Sequence, residues 1–177
     1  MIAVSTIERL RRRHRDIDRL LVRAEAGQDV LKELARTLTA QLEAEREELY
    51  PVVLHLAQSE VLDAYENQAP IERALRRAQA ARVTERALKG RLGTLKGLVR
   101  RWAADEEGSL FPTIEQKLSE HGLEAMGAQI ESHFLIVLRR LWQTDYAHPP
   151  RKTVRTDLTR IARLRSPSRR HEPRPAT

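Results

Sequence analysis

The sequence predicts an all-α fold: an antiparallel four-helix up-and-down bundle with an extra C-terminal helix, and a basic, disordered tail. Residues 1–148 form the bundle and residues 149–177 the tail. Three observations carry this. Apolar residues recur three and four positions apart over long stretches, the spacing of one helix face. Helix breakers are scarce: the chain has 7 Gly, and its first 148 residues hold only Pro51, Pro70 and Pro112. Residues 41–51 also align without a gap on residues 102–112, and each copy ends a long helical pattern. With aromatics at 4% and short β-branched runs, a β-rich fold is not expected.

Ser5 is a fitting N-cap for the first helix, with Glu8 three residues on in the spacing of a capping box. Ile7, Leu10, His14, Ile17 and Leu21 then share a face, and Gly27 ends the helix. Asp29 can cap the second helix, over 30–50, whose apolar positions include Leu34, Leu38, Leu42 and Leu49. Pro51 predicts a break or kink, followed by a short apolar connector over 52–59. The third helix carries Val61, Leu62 and Tyr65, is interrupted at Pro70, and resumes through Ile71, Leu75 and Ala78. The fourth spans 84–110 through Leu88, Leu92, Leu95, Val99 and Trp102, with Pro112 as its stop. A last helix over 123–142 packs Met126, Ile130, Phe134, Val137, Leu138 and Leu141.

The repeat has the form of a duplicated helical hairpin, each copy reading acid, Leu, aromatic, Pro at its end: Glu45, Leu49, Tyr50, Pro51 and Glu106, Leu110, Phe111, Pro112. From His14 to the turn near Gly27 the chain climbs roughly 18 Å at 1.5 Å per residue, and it descends about as far to Gln41. His14 and Gln41 therefore share a level, with Glu45 one turn further on the same face. The same arithmetic sets Gln68 opposite Trp102 and Glu106. Four helices thus bring His14, Gln41, Glu45, Gln68, Trp102 and Glu106 to one interior layer.

That layer resembles the metal site of the hemerythrin-like (HHE cation-binding) family. The family's pattern is a His on the first helix, His-x-x-x-Glu before an aromatic-Pro pair on the second, and the same again on the third and fourth. Residues 13–18 resemble its first motif, while Glu45 and Glu106 with their Leu-aromatic-Pro ends resemble the second and fourth. The resemblance implies a bundle holding a non-haem di-iron centre bridged by the two glutamates. Gln41, Gln68 and Trp102 stand at three of the family's histidine positions. A Gln carbonyl is a weak donor and Trp has no usable lone pair, so His14, Glu45 and Glu106 are too few ligands for two ions. The first expectation is therefore a bundle that has lost its di-iron centre, carries no cofactor and acts as a non-catalytic structural or interaction module. The alternative is a residual non-haem iron or other divalent metal site, mononuclear, on His14, Glu45 and Glu106, sensing or handling O2, NO or redox state. Three protein ligands with an open position make a workable site.

Plainer readings apply to the same residues. His14 fits a satisfied core histidine. Glu45 lies in the acidic run Glu43, Glu47, Glu48, which ordinarily faces solvent, and only its match to Glu106 raises it. Gln41 and Gln68 can hydrogen-bond the two carboxylates or each other, and the Trp102 indole can donate to one of them. Without metal, the two acids should make His14 more basic than a free histidine.

The formal charge is +7. Residues 151–177 hold nine Lys/Arg against two acids, so the tail carries all of it and the body is neutral. Arg151, Lys152, Arg155, Arg160, Arg163, Arg165, Arg169 and Arg170 are candidates for an anionic partner, a polyanion or an acidic protein, as the second alternative function. The tail has no aromatic residue for base stacking. Cysteine is absent, which excludes thiolate ligands and nucleophiles. No apolar run approaches the roughly 18 residues of a membrane span, and residues 1–4 are too short for a signal-peptide core, so a cytoplasmic protein is expected. No Ser-His-Asp set, Gly-rich phosphate loop or zinc motif points to an enzyme.

Overall fold

The computed structural model describes residues 5–80 and 84–147, except the side chains of 145–147. Among these residues the chain is helical, with no strand: α1 Thr6–Glu25, α2 Leu31–Ala44, α3 Tyr50–Val53, α4 Gln58–Gln79, α5 Glu85–Asp105, α6 Phe111–Lys117 and α7 Glu120–Ala147. The domain end at residue 148, the basic tail and its arginines lie outside the described residues. No described helix is long and apolar enough to cross a membrane.

Local chemistry sets the helix ends. The Ser5 hydroxyl accepts from the Glu8 N–H at 3.1 Å, as the capping spacing predicts. Gly27, at φ +82°, takes the left-handed conformation that follows a helix end. Asp29 does not cap α2: Val30 holds that position without a side-chain hydrogen bond. Ser119 caps α7, accepting from the Gly122 N–H at 3.2 Å, which starts that helix earlier than the apolar pattern suggests.

The prolines behave differently from expectation. Between α2 and α3, and again between α5 and α6, the chain makes a π-helical turn, Glu45–Leu49 and Glu106–Leu110. There the Tyr50 N–H bonds Glu45 O and the Phe111 N–H bonds Glu106 O, five residues back. The wider turn lets each helix restart with Pro51 or Pro112 in its first turn, where a missing N–H does no harm. Pro112 is thus a start rather than a stop. Pro70 does not interrupt α4 at all. It deprives the carbonyl of Glu66 of a partner, but Glu66 is exposed and water can take that bond.

Packing joins α4 to α5, α1 to both α2 and α5, and α7 chiefly to α2. In α4 the buried stripe is Val61, Ala64, Gln68, Ile71, Leu75 and Ala78, while Leu62 and Tyr65 fall off it and are exposed. Of the residues expected to pack from the last helix, Met126, Ile130, Phe134 and Val137 are buried, with Leu138 and Leu141 at the margin. Where α1 meets α7, Gly127 leaves no room for a Cβ: one would fall on the Thr6 side chain.

The core divides into two apolar clusters. One includes Leu10, Leu49, Ala64, Leu110 and Phe111. The other includes Ile17, Leu38, Leu42, Ile71 and Trp102. Each full Leu or Ile burial stabilises by about 1.5–3 kcal/mol, so the clusters bind the helices firmly on both sides of the layer between them. The chain crosses that layer at His14 in α1, Glu45 after α2, Gln68 in α4 and Glu106 after α5. With Gln41 these are, among the described residues, the buried polar ones apart from Thr6, whose hydroxyl donates to Leu123 O at 2.7 Å.

Candidate metal centre

The two apolar clusters hold a polar layer almost without water: Glu45 is 0%, Glu106 1% and His14 3% exposed. Glu45 and Glu106 each open a π-helical turn, so the two carboxylates occupy matching backbone positions in the two copies of the repeat. One ligand atom from each of His14, Glu45 and Glu106 lies within 4.8 Å of the others. The sequence arithmetic therefore places these three correctly, and the solvated-face reading of Glu45 does not hold.

Glu107, absent from the sequence reading, supplies the orientation. Its Oε1 lies 2.8 Å from His14 Nδ1. The hydrogen bond to His14 holds the Glu107 carboxyl below its usual range, so it is an acceptor and Nδ1 carries the proton. The other ring nitrogen, Nε2, points between the two buried carboxylates, 3.4 Å from Glu106 Oε2 and 3.6 Å from Glu45 Oε1. Both separations exceed an ordinary hydrogen bond. His14 Nε2, Glu45 Oε2 and Glu106 Oε2 have no hydrogen-bond partner although all are buried. His14 is thus no satisfied core histidine. Its ring rests between Trp102 and Phe111, with centroids at 4.6 and 5.6 Å.

The remaining polar atoms of the layer are hydrogen-bonded except Gln68 Oε1, which is buried without a partner. Gln41 Nε2 donates to Glu45 Oε1 at 2.5 Å, and Gln41 Oε1 accepts from Arg13 Nη1 at 3.0 Å. Gln68 does not reach a carboxylate: its Nε2 donates to Leu42 O and to Tyr50 Oη, both at 3.1 Å. Nor does the Trp102 indole; its N–H points to Tyr50 Oη at 3.4 Å. Tyr50 in turn donates to Glu106 Oε1 at 2.6 Å. Tyr50 appears in the sequence only as the aromatic of its motif; the signal for its role is that its repeat mate, Phe111, lacks a hydroxyl.

The layer is electrostatically strained in the absence of a cation. Burial, and then the charge of Glu106, push the Glu45 carboxyl up to about 7, with His14 and Gln41 pulling the other way. Burial works against a charged His14, yet the neighbouring Glu106, Glu107 and Glu45 carboxylates raise it well above the ordinary histidine value. Burial and the two carboxylates keep Tyr50 protonated far into the alkaline range. Beside the layer, a surface cleft of about 410 Å³ is lined by Glu60, Asp63, Glu66, Arg101, Asp105 and Glu106 itself.

The donors present do not fit a di-iron pair: Gln41 is committed to Arg13 and Glu45, the Trp102 indole has no usable lone pair, and Gln68 offers only one free amide oxygen, a weak donor. They do fit one ion. Ligands bonded to a single divalent metal at roughly 2.1 Å stand about 3.0–3.5 Å apart, near the His14 Nε2 separations. A His whose Nδ1–H is held by a carboxylate presents Nε2 as the ligand nitrogen. No protein-family model, curated protein or solved structure matches the chain.

Proposed function

We propose that this protein is a hemerythrin-like bundle, two α-helical hairpins in an antiparallel four-helix up-and-down arrangement with α7 added outside, that binds one divalent metal ion. The ligands are His14, Glu45 and Glu106. The observation that carries the reading is the set of three buried, unpartnered ligand atoms, one from each of these residues. Leaving such atoms unsatisfied is expensive, on the order of 1–3 kcal/mol each, and a cation relieves all three at once. An imidazole with two carboxylates suits Fe(II), Mn(II) or Zn(II). Iron held there would offer an open position to a small ligand such as O2 or NO, which favours sensing or handling of such a molecule. The chain's own contribution is to orient His14 through Glu107, to hold Glu45 through Gln41, and to exclude water.

The contending reading is a metal-free interaction module, and the raised His14 favours it, since a proton on Nε2 can stand where the ion would. Titration of the chelator-treated protein with Fe(II) or Mn(II), followed by metal analysis, separates the two. One ion per chain, abolished by His14→Ala, is the expected result. Absence of binding would leave the module reading, and two ions per chain would contradict both.

A further inference from the structure

Resting on the single-ion reading, we propose that Tyr50 limits the centre to one ion. Its hydroxyl fills the half of the layer opposite His14 and turns the free oxygen of Glu106 toward the ion. Tyr50 is a positioning residue, not a ligand.

The two halves of the layer correspond through the repeat. Tyr50 and Phe111 each follow a π-helical turn and begin a helix with proline next. Each ring meets a residue from the first helix of the other hairpin: Phe111 stacks on His14 and Tyr50 meets Gln68. Phe111 ends in carbon and makes no demand on the polar atoms beside it, so His14 Nε2 stays free. Tyr50 ends in oxygen. A phenol has one proton to give and two lone pairs to fill. All three are used: Tyr50 donates to Glu106 Oε1, and Gln68 Nε2 and Trp102 Nε1 point to its oxygen. At this hydroxyl a second cation would meet donor hydrogens instead of lone pairs, and the one free acceptor left in this half is Gln68 Oε1, an amide oxygen and a weak ligand. The same hydroxyl decides the orientation of Glu106, because the oxygen it does not take is the one 3.4 Å from His14 Nε2.

The test uses the full chain and Co(II), whose absorption spectrum reports ligand geometry, with metal content measured after desalting. Wild type should bind one ion. Tyr50→Phe should still bind one, about 10–100-fold more weakly, as when an orienting partner of a ligand is lost, and with a shifted Co(II) spectrum. Gln68→His should remain at one ion while Tyr50 is present; combined with Tyr50→Phe it should take a second. Tyr50→Phe with wild-type affinity and spectrum overturns the proposal, as does two-ion binding by Gln68→His alone. Those results leave the single-ion reading intact, whereas a wild type that takes no Co(II) overturns both. If Tyr50→Phe does not fold, the stoichiometry of Gln68→His decides.

Discussion

Around His14, the buried layer holds an imidazole and two carboxylates with unpartnered atoms; around Gln68, it holds an amide, an indole and a phenol whose hydroxyl bonds are complete. The two halves stand on the same backbone, a long helix ending in a π-helical turn that opens with a glutamate. The difference therefore comes from a few side-chain atoms and not from the fold. An imidazole replaced by an amide, and a phenyl by a phenol, convert an electron-rich half-site into a neutral one whose only free acceptor is the Gln68 amide oxygen.

The largest effect should come from breaking each half in turn. His14→Ala leaves Glu45 and Glu106 buried without a cation, the situation in which removing one partner destabilises by about 3–5 kcal/mol. Gln68→Ala removes two N–H donors from neutral acceptors, of which Leu42 O also belongs to a helix, and should destabilise by about 1–3 kcal/mol. Urea unfolding at pH 7 with chelator present compares them. Equal losses would mean that the His14 half is not the charged one.

The response to pH should divide the halves next. In the folded protein the Glu45 carboxyl sits at about 7, against 4.5 for the ordinary group. A raised value means that the folded state holds the proton more tightly. The resulting stability is fully present below about 4.5 and is lost as pH rises through about 7. His14, raised above 6.5, acts in the same direction at higher pH. The metal-free protein should therefore be less stable at pH 8 than at pH 5. Glu45→Gln should flatten the lower part of this slope, and Gln68→Ala should leave it unchanged. Excess divalent metal should reverse the trend, because its ligands must shed protons to bind. A slope unaltered by Glu45→Gln would place the titrating group elsewhere.

Much of the layer could be read from the sequence because helix geometry is rigid. A fixed rise and a fixed facing angle were enough to bring His14, Glu45 and Glu106 together. What the sequence could not show depends on atoms rather than on faces. Glu107 reaches His14 from within a π-helical turn, whose extra residue shifts the faces that a 3.6-residue period assigns. The Tyr50 hydroxyl draws Gln68 and Trp102 away from the carboxylates, and nothing in periodicity distinguishes it from a buried phenylalanine. Leu62 and Tyr65 look apolar enough for a core, yet the stripe from Val61 through Ala64 to Gln68 leaves them outside.

The smallest expected effect concerns how each glutamine is held. Gln68 takes its orientation from a backbone carbonyl, that of Leu42, which no substitution removes. Gln41 takes its orientation from a side chain. Arg13 donates to its Oε1, so its Nε2 must face Glu45. The same guanidinium pairs with Glu131 and lies 3.8 Å over the Phe134 ring. Arg13→Lys keeps the charge but replaces a planar fork with a single ammonium, which cannot serve Gln41, Glu131 and the ring together. Stability should fall by about 1 kcal/mol. Ion affinity should fall by no more than about tenfold, the low end for loss of an orienting partner, because Arg13 acts through Gln41 and not on a ligand. The Gln41 side-chain amide protons, followed by NMR, should exchange faster while those of Gln68 do not. If both amides respond alike, the layer relaxes as one body and the two glutamines are not independently held.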